Sequence, residues 1–291
     1  MTTTKAMLAA QLGSFSSLPD RVWAVEPKLD GVRVIITADP AAQLVTYHTR
    51  NGNQLHSLEA LTPDILRLAK AIGSRVVMDG EATAGTDFFT GVGKLRQKYE
   101  PADLACITLF DLIEVEGWGA SEGAPYSLRR DCLEKMFKDA GMRGTAKEAV
   151  RMTPVMDTLT TDDLELMADD LLEEALRLGF EGIMLKDVDA GYYQGKRSKA
   201  WLKMKPAETY DCRVVGFIPG TGRLEGTLGS LLVSYNGKPV RVGSGLSDQL
   251  RQEVYDNQAK YIGALAEVSC LSKTPAGSLR HPTLVCIRWD K

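Results

Sequence analysis

The chain has 291 residues, 44% of them hydrophobic and 25% charged, with a formal net charge of −3; it is long enough to bury one large core or two smaller ones. Its five cysteines, at 106, 132, 212, 270 and 286, are odd in number and contain no Cys-x-x-Cys pair, which argues against a disulfide framework or a structural zinc site and fits a reducing compartment. No run of about 18 apolar residues is present to span a bilayer, and the first ten residues lack the apolar core of a signal peptide, so a cytoplasmic protein without a membrane partner is the default expectation.

In chain order, Val22–Val25 is rich in strand formers, and Val32, Val34 and Ile36 alternate after it. Between them lies Glu26-Pro27-Lys28-Leu29-Asp30-Gly31. Pro27 lacks an amide proton and fixes φ, so strand pairing is expected to stop there and leave Lys28 projecting into open space. Leu44 to Arg50 alternates and ends in the turn signal Asn51-Gly52. Thr62-Pro63-Asp64 opens a helix through about Ile72. Arg75–Met78 reads as a strand delivering Asp79-Gly80-Glu81 at its end, and 104–113 as a longer apolar strand. Ser127–Ala140 reads as an amphipathic helix stopped by Gly141. Thr161–Leu178 is a second helix, with Leu164, Ala168, Leu171, Leu172 and Ala175 on one stripe. Strands are expected at Ile183–Lys186 and Ala200–Lys205, separated by a polar loop over 187–199. Gly117–Pro125 and Pro219–Gly229 read as exposed loops.

Pro206-Ala207-Glu208 marks a boundary, giving domains of 1–207 and 208–291. The second is strand-rich, with strands at Asp211–Ile218, Leu228–Tyr235, Pro239–Val242, 268–271 and Thr283–Trp289 and one helix from Ser247 to about Tyr261. Five short strands with one helix fit a small closed barrel of the oligonucleotide-binding type. The fold class is therefore α+β, followed by a small all-β domain.

A lysine at a strand end with a carboxylate two residues later is a plausible amine nucleophile, although a solvated surface hairpin would look the same. Lys203 and Lys205 alternate with Leu202 and Met204, which suits either a half-buried strand or a grip on phosphate. Asp79 and Glu81 share one strand face. Phe110 sits in an apolar strand, where core packing is the commoner role. The basic clusters at 195–199 and at Lys94, Arg96 and Lys98 fit solvated faces or phosphate contacts. His48 and His56 have no metal-ligand spacing.

The stretch around Lys28 resembles the Lys-x-Asp-Gly-x-Arg signature of the covalent nucleotidyltransferases: DNA ligases, RNA ligases and messenger-RNA capping enzymes. The resemblance continues in family order through Arg50-Asn51-Gly52, Asp79-Gly80-Glu81, Leu109-Phe110-Asp111, Glu181-Gly182-Ile183-Met184 and Trp201-Leu202-Lys203-Met204-Lys205. It closes with Arg280-His281-Pro282 and Arg288-Trp289-Asp290-Lys291. As a whole the chain resembles a small two-domain ATP-dependent DNA ligase of phage, viral or bacterial type. The resemblance implies an adenylation domain followed by a barrel domain, and sealing of 5′-phosphate/3′-hydroxyl nicks through a lysyl-AMP intermediate on Lys28.

By the same resemblance, Asp30 belongs to the catalytic signature and Glu26 helps read the adenine edge. Arg33 and Arg50 contact ribose, phosphates or the nick's 5′-phosphate, and Phe110 stacks on the purine. Glu81 and Glu181 are carboxylates at a metal, and Lys203 and Lys205 grip the α-phosphate. Arg288 and Lys291 orient the pyrophosphate leaving group. ATP and Mg²⁺, with Mn²⁺ as a substitute, are the implied cofactors, and nicked duplex DNA the implied partner of a monomer. The short stretch ahead of Glu26 leads to the expectation that no large DNA-encircling domain precedes it. The lack of segments typical of NAD-dependent ligases favours ATP as the adenylate donor. A GTP-dependent capping guanylyltransferase, an RNA ligase and a non-catalytic nick-binding module are the rivals.

Charge alone would not have suggested DNA. Residues from Thr209 onward hold 10 Lys and Arg against 7 Asp and Glu, whereas Asp157–Glu174 carries eight acidic residues and no basic one. Contact with DNA must therefore be local, through basic patches.

Overall fold

The computed structural model describes residues 4–13, 15–85, 88–95, 102, 104–118, 123–206, 208–270, 272–273, 277–280 and 282–289. The chain divides into two compact units, Met1–Met204 and Lys205–Lys291, of mixed α+β structure. Among the described residues no helix is long and apolar enough to cross a membrane.

The first unit holds two five-stranded sheets. One runs in the order Leu8–Gln11, Arg197–Met204, Gly182–Asp187, Val22–Lys28, Asp157–Thr160; the other in the order Leu44–Thr49, Val32–Asp39, Val76–Ala84, Ala105–Val115, Val150–Met152. Alternation decides which residues face inward: along Val32–Asp39, Val34, Ile36 and Ala38 are buried and join the core under helices Thr62–Ile72 and Tyr126–Asp139. Helix Thr161–Arg177 covers the first sheet with Leu164, Ala168, Leu171 and Ala175. Its start is set by Thr160, whose side chain accepts from the Asp163 amide. A further cluster joins Ile35, Val77 and Ile113 of one sheet to Met7, Tyr192 and Trp201 beside the other, so the two sheets face each other there.

Strand pairing does not stop at Pro27. Val22–Lys28 stays in register with Gly182–Asp187 through Pro27 opposite Ile183 and Lys28 opposite Gly182. The carbonyls of Val22 and Lys28 accept from Val188 and Glu181 on that side, while that of Val25 accepts from Met156 on the other. Even-numbered residues thus bond toward Gly182–Asp187 and odd-numbered ones away from it. The missing amide proton of Pro27 faces the flank where pairing with Asp157–Thr160 has ended at Val25. The expected strand at Arg75–Met78 is also longer. Val76–Ala84 carries Asp79-Gly80-Glu81 in its middle, paired on both sides. Strands Leu8–Gln11, Val150–Met152 and Asp157–Thr160 and helix Phe88–Leu95 were not expected from the sequence; they are too short to show a period.

The second unit is an antiparallel five-stranded sheet in the order Lys238–Val242, Leu228–Tyr235, Glu208–Pro219, Leu265–Cys270, Thr283–Arg288. Ser244 and Thr283 form a parallel bridge next to its two edge strands, with the Leu284 amide donating to the Ser244 carbonyl at 2.9 Å. The edges meet at this one point among the described residues, where a fully closed barrel was expected. The expected single helix is two, Asp248–Asp256 and Gln258–Tyr261. The break is at Asn257, whose side chain donates back to the Glu253 carbonyl at 2.9 Å.

Gly31 marks the tightest backbone approach beside Lys28, since a Cβ there would lie 2.4 Å from the Ala82 carbonyl oxygen. Gly31→Ala is therefore expected to lower unfolding free energy by about 1–3 kcal/mol. Denaturant unfolding measures this, and an unchanged midpoint would contradict the packing described.

Candidate active site

Register assembles the site. In the first sheet Lys28 pairs with Gly182, Glu26 with Met184, and Met184 in turn with Lys203; Lys186 pairs with Trp201. Residues paired directly across antiparallel strands point to the same face, so Glu26, Lys28, Met184, Lys186, Trp201 and Lys203 share one. In the second sheet Arg33 pairs with Glu81 and Ile35 with Asp79. Gly80 pairs with Leu109 and Asp79 with Asp111, which leaves Phe110 as an extra residue in a bulge. A bulge re-aims a side chain relative to the regular pleat. Between these faces lies a cavity of about 700 Å³, lined by Glu26, Lys28, Arg33, Arg50, Glu81, Phe110, Met184, Lys186, Arg197, Trp201 and Lys203 among others.

At the C-terminal end of its strand, Lys28 donates from Nζ to Glu181 and to the Leu29 carbonyl at 3.4 Å. The Glu181 amide donates to the Lys28 carbonyl at 2.9 Å, so backbone and side chain together fix this carboxylate against the amine. Burial pushes the Glu81 carboxyl up to about 7, against the pull of Lys28 and Arg33. Burial and the like charges of Lys28 and Arg197 draw the Lys203 ammonium below the usual lysine range.

The arginine and the aromatic wall are held by buried charges. Arg33 donates from Nε to Asp79 at 2.9 Å and from Nη2 to the other carboxylate oxygen. Tyr192 also donates to Asp79, and accepts from the Met7 amide at 3.0 Å. Burial opposes the Arg33 charge, but Asp79 and Tyr192 outweigh it and hold the guanidinium above its ordinary pKa. The guanidinium carbon lies 5.4 Å from the Phe110 ring centre and 5.5 Å from that of Trp201. Beside Phe110 in sequence, the fully buried Arg129 forks Asp111 at 2.7 and 3.0 Å.

Of the residues that the sequence singled out, Glu26, Lys28, Arg33, Arg50, Glu81, Phe110 and Lys203 line one cavity, and Glu181 joins them through Lys28. Asp30 is half-buried in the turn after Lys28. Lys205 follows the strand's end and belongs to the second unit, as does Arg288, which pairs with Asp211 and Glu267, each at 3.6 Å. Lys291, Asp290, His281, Arg96 and Lys98 lie outside the described residues, as does the side chain of Arg280. Lys196, Arg197 and Lys199 are exposed, but Arg197 and Lys199 open strand Arg197–Met204 and Asp187 closes strand Gly182–Asp187, so the polar loop expected over 187–199 spans only 188–196.

Sequence reading missed Lys186, Trp201 and Met184 as wall residues, and Asp79 and Tyr192 as the buried groups that anchor Arg33. The Glu26 carboxylate is 1% exposed and fully engaged: Lys186 Nζ lies 2.8 Å from Oε2, and Tyr126 donates to Oε1. The available signal was period two along Ile183–Asp187, which puts Lys186 on the same face as Met184 and two residues beyond it.

The chain matches the family model of the ATP dependent DNA ligase domain over residues 6–205 and that of the DNA ligase OB-like domain over 219–288. It is similar to a DNA ligase of Methanopyrus kandleri, 31% identical over a 246-residue alignment that covers 78% of this chain and 42% of that protein. It is also similar to DNA ligase 1 of Methanosarcina barkeri, 28% identical over 94% of this chain and 52% of that protein. The chain thus spans about half the length of the curated relatives it matches. The solved structure named Pmar-Lig_Pre superposes with a TM-score of 0.84 at 26% identity, over 99% of this chain and 68% of that one.

Asp79→Ala would leave the Arg33 guanidinium and the Tyr192 hydroxyl without their carboxylate. A loss of about 3–5 kcal/mol of unfolding free energy is expected for breaking such a buried pair. Denaturant titration checks it, and a variant as stable as the parent would show that Asp79 does not anchor this wall.

Proposed function

The chain belongs to the ATP-dependent DNA ligase family, and from that membership we propose that it seals 5′-phosphate/3′-hydroxyl nicks in duplex DNA through an adenylate carried on Lys28. The observation that carries this reading is one cavity in which an amine, paired with a carboxylate and sharing its wall with a second lysine, faces an arginine and an aromatic ring on the opposite wall.

Lys28 Nζ, once deprotonated, attacks the α-phosphorus of ATP; the bond to the bridging oxygen breaks and pyrophosphate leaves, giving a lysyl-AMP phosphoramidate. The nick's 5′-phosphate oxygen then attacks the same phosphorus and frees the lysine. In the last step the 3′-hydroxyl attacks the activated 5′-phosphate and AMP departs. Each displacement depends on orienting the attacking and leaving oxygens and neutralising charge on the phosphoryl group.

Lys203 shares the sheet face of Lys28 and suits a contact with the α-phosphate, with Lys205 assigned to the same group. Arg33 and Arg50 suit ribose or phosphate oxygens. Phe110 and Met184, from facing sheets, suit the two faces of the purine, with Glu26 at its edge. Asp30 keeps its assignment to the catalytic signature, in the turn after Lys28. Glu81 and Glu181 flank Lys28 and fit a divalent cation. Two carboxylates are what Mg²⁺ takes when substrate phosphates and water supply the other ligands, and among the described residues no cluster of three or more ligating side chains offers an alternative. Bound there, Mg²⁺ or Mn²⁺ would supply charge neutralisation at the phosphates. Arg288 and Lys291 are assigned to the pyrophosphate. The exposed Lys196, Arg197 and Lys199 suit the phosphate backbone of the nicked duplex.

Incubation with α-labelled ATP and Mg²⁺ followed by a denaturing gel is expected to leave label on the protein, and Lys28→Ala is expected to abolish it. The same variant should still seal a nick that already carries 5′-adenylate, since the last step needs no amine. Label from GTP instead of ATP would point to a capping guanylyltransferase. A labelled alanine variant would remove Lys28 from the chemistry.

A further inference from the structure

Lys186 is a lysine with almost no access to water: it is 1% exposed, in the middle of a sheet. A buried ammonium is tolerated only when its donors are satisfied and its charge is balanced. Both conditions are met, by groups on different elements. Nζ lies 2.8 Å from Glu26 Oε2, two residues before Lys28 on the nucleophile strand. It donates to the Phe110 carbonyl at 2.7 Å, across to the facing sheet. Its remaining face looks onto aromatic rings, with the centres of Trp201, Tyr126 and Phe110 at 4.7, 4.9 and 5.0 Å.

Phe110 needs such a tie. As the extra residue of a bulge it has no partner directly opposite in the neighbouring strand, so regular pairing does not by itself fix where its ring points. The Arg129–Asp111 fork holds the next residue, and Trp201 meets the Phe110 ring edge-on at 6.0 Å between centres. Lys186 adds the bond that connects Phe110 to the strand bearing Lys28. Charge balance alone does not call for a lysine here, because an apolar pair of similar volume is often as stable as a buried ion pair. What an apolar residue cannot supply is a directed donor to the carbonyl across the cavity.

We propose that Lys186 is a positioning residue. By bridging Glu26 to the Phe110 carbonyl, it fixes the gap between the nucleophile strand and the ring that stacks on the nucleotide. Glu26, besides its place at the purine edge, is the counter-charge that keeps the Lys186 side chain aimed at the Phe110 carbonyl. The inference rests on the nucleotidyl-transfer reading of the cavity, so its test includes a measurement that needs no covalent step.

The test compares the parent with Lys186→Met, Lys186→Arg and the double variant Glu26→Gln/Lys186→Met. Three quantities are read: AMP affinity by calorimetry, the ATP dependence of self-adenylation, and the thermal unfolding midpoint. Lys186→Met removes the nearest cation from the buried Glu26 carboxylate and leaves it Tyr126 and, at 3.9 Å, Arg130, so both a lower midpoint and weaker nucleotide binding are expected. The loss of affinity should be about tenfold, the scale of one hydrogen bond from a charged donor, and should appear in KM for ATP more than in maximal rate. The double variant removes the stranded charge and should recover the midpoint while AMP affinity stays low. Lys186→Arg keeps a charged donor and should recover part of the affinity. A double variant that regains both midpoint and affinity would make the pair purely structural and overturn the proposal. So would a Lys186→Met protein that binds AMP as tightly as the parent. If the parent takes no label from ATP while AMP affinity still depends on Lys186, the ligase reading fails and the positioning role stands.

Discussion

Antiparallel pairing of Val22–Lys28 with Gly182–Asp187 is the constraint from which the site's geometry follows. It sets Lys28 beside Gly182, and therefore beside Glu181. It also sets Ala24 opposite Lys186, so that Lys186 reaches Glu26 diagonally along the same face. Side chains alternate with period two, so a slip of one residue would turn these groups to the other side of the sheet. That face is otherwise packed by Leu164, Ala168 and Leu171 against Trp23, Val25 and Leu185. Burial of the helix stripe therefore pins the register, and the register places the amine.

The facing sheet uses a different device. Its working residues, Arg33 and Phe110, are held by charges taken out of water: Arg33 by Asp79 and Tyr192, the bulge at Phe110 by Arg129 on Asp111 and by Lys186 on its carbonyl. Such pairs add little to stability when compared with apolar packing, yet are costly to break singly. They confine a guanidinium and a ring to one arrangement. That suits the proposed displacement at phosphorus, which depends on orientation and preorganised charge more than on covalent assistance from several groups.

Much of this was legible in the sequence, for physical reasons. Alternation in Val32–Ile36 and the 3.6-residue stripe in Thr161–Leu178 are consequences of burying one face, and both elements lie where that pattern puts them. Lys28, Arg33, Glu81, Phe110 and Lys203 could be named from short motifs, and they line one cavity. Pro27 misled because its cost in a sheet depends on which neighbour its missing donor faces, and that is set by where Asp157–Thr160 ends. The extent of Val76–Ala84 was missed because the polar Asp79-Gly80-Glu81 reads as the end of a strand, whereas Asp79 is buried by its pairing with Arg33, 46 residues away in sequence on the neighbouring strand. Lys186 was missed although period two put it on the face of Met184, because a lysine after three apolar residues looks like a strand end reaching solvent. Only the partners brought by the fold make it interior.

If strand register makes Lys28, among the lysines around one cavity, the residue that carries the nucleotide, the adduct must be found on that side chain. The most direct measurement is to incubate the protein with ATP and Mg²⁺, digest it under conditions that preserve a phosphoramidate, and locate the AMP by tandem mass spectrometry. The account predicts a single modified site on the peptide bearing Glu26-Pro27-Lys28, at Lys28. AMP on Lys203 or Lys186, or on none of the three, would contradict it.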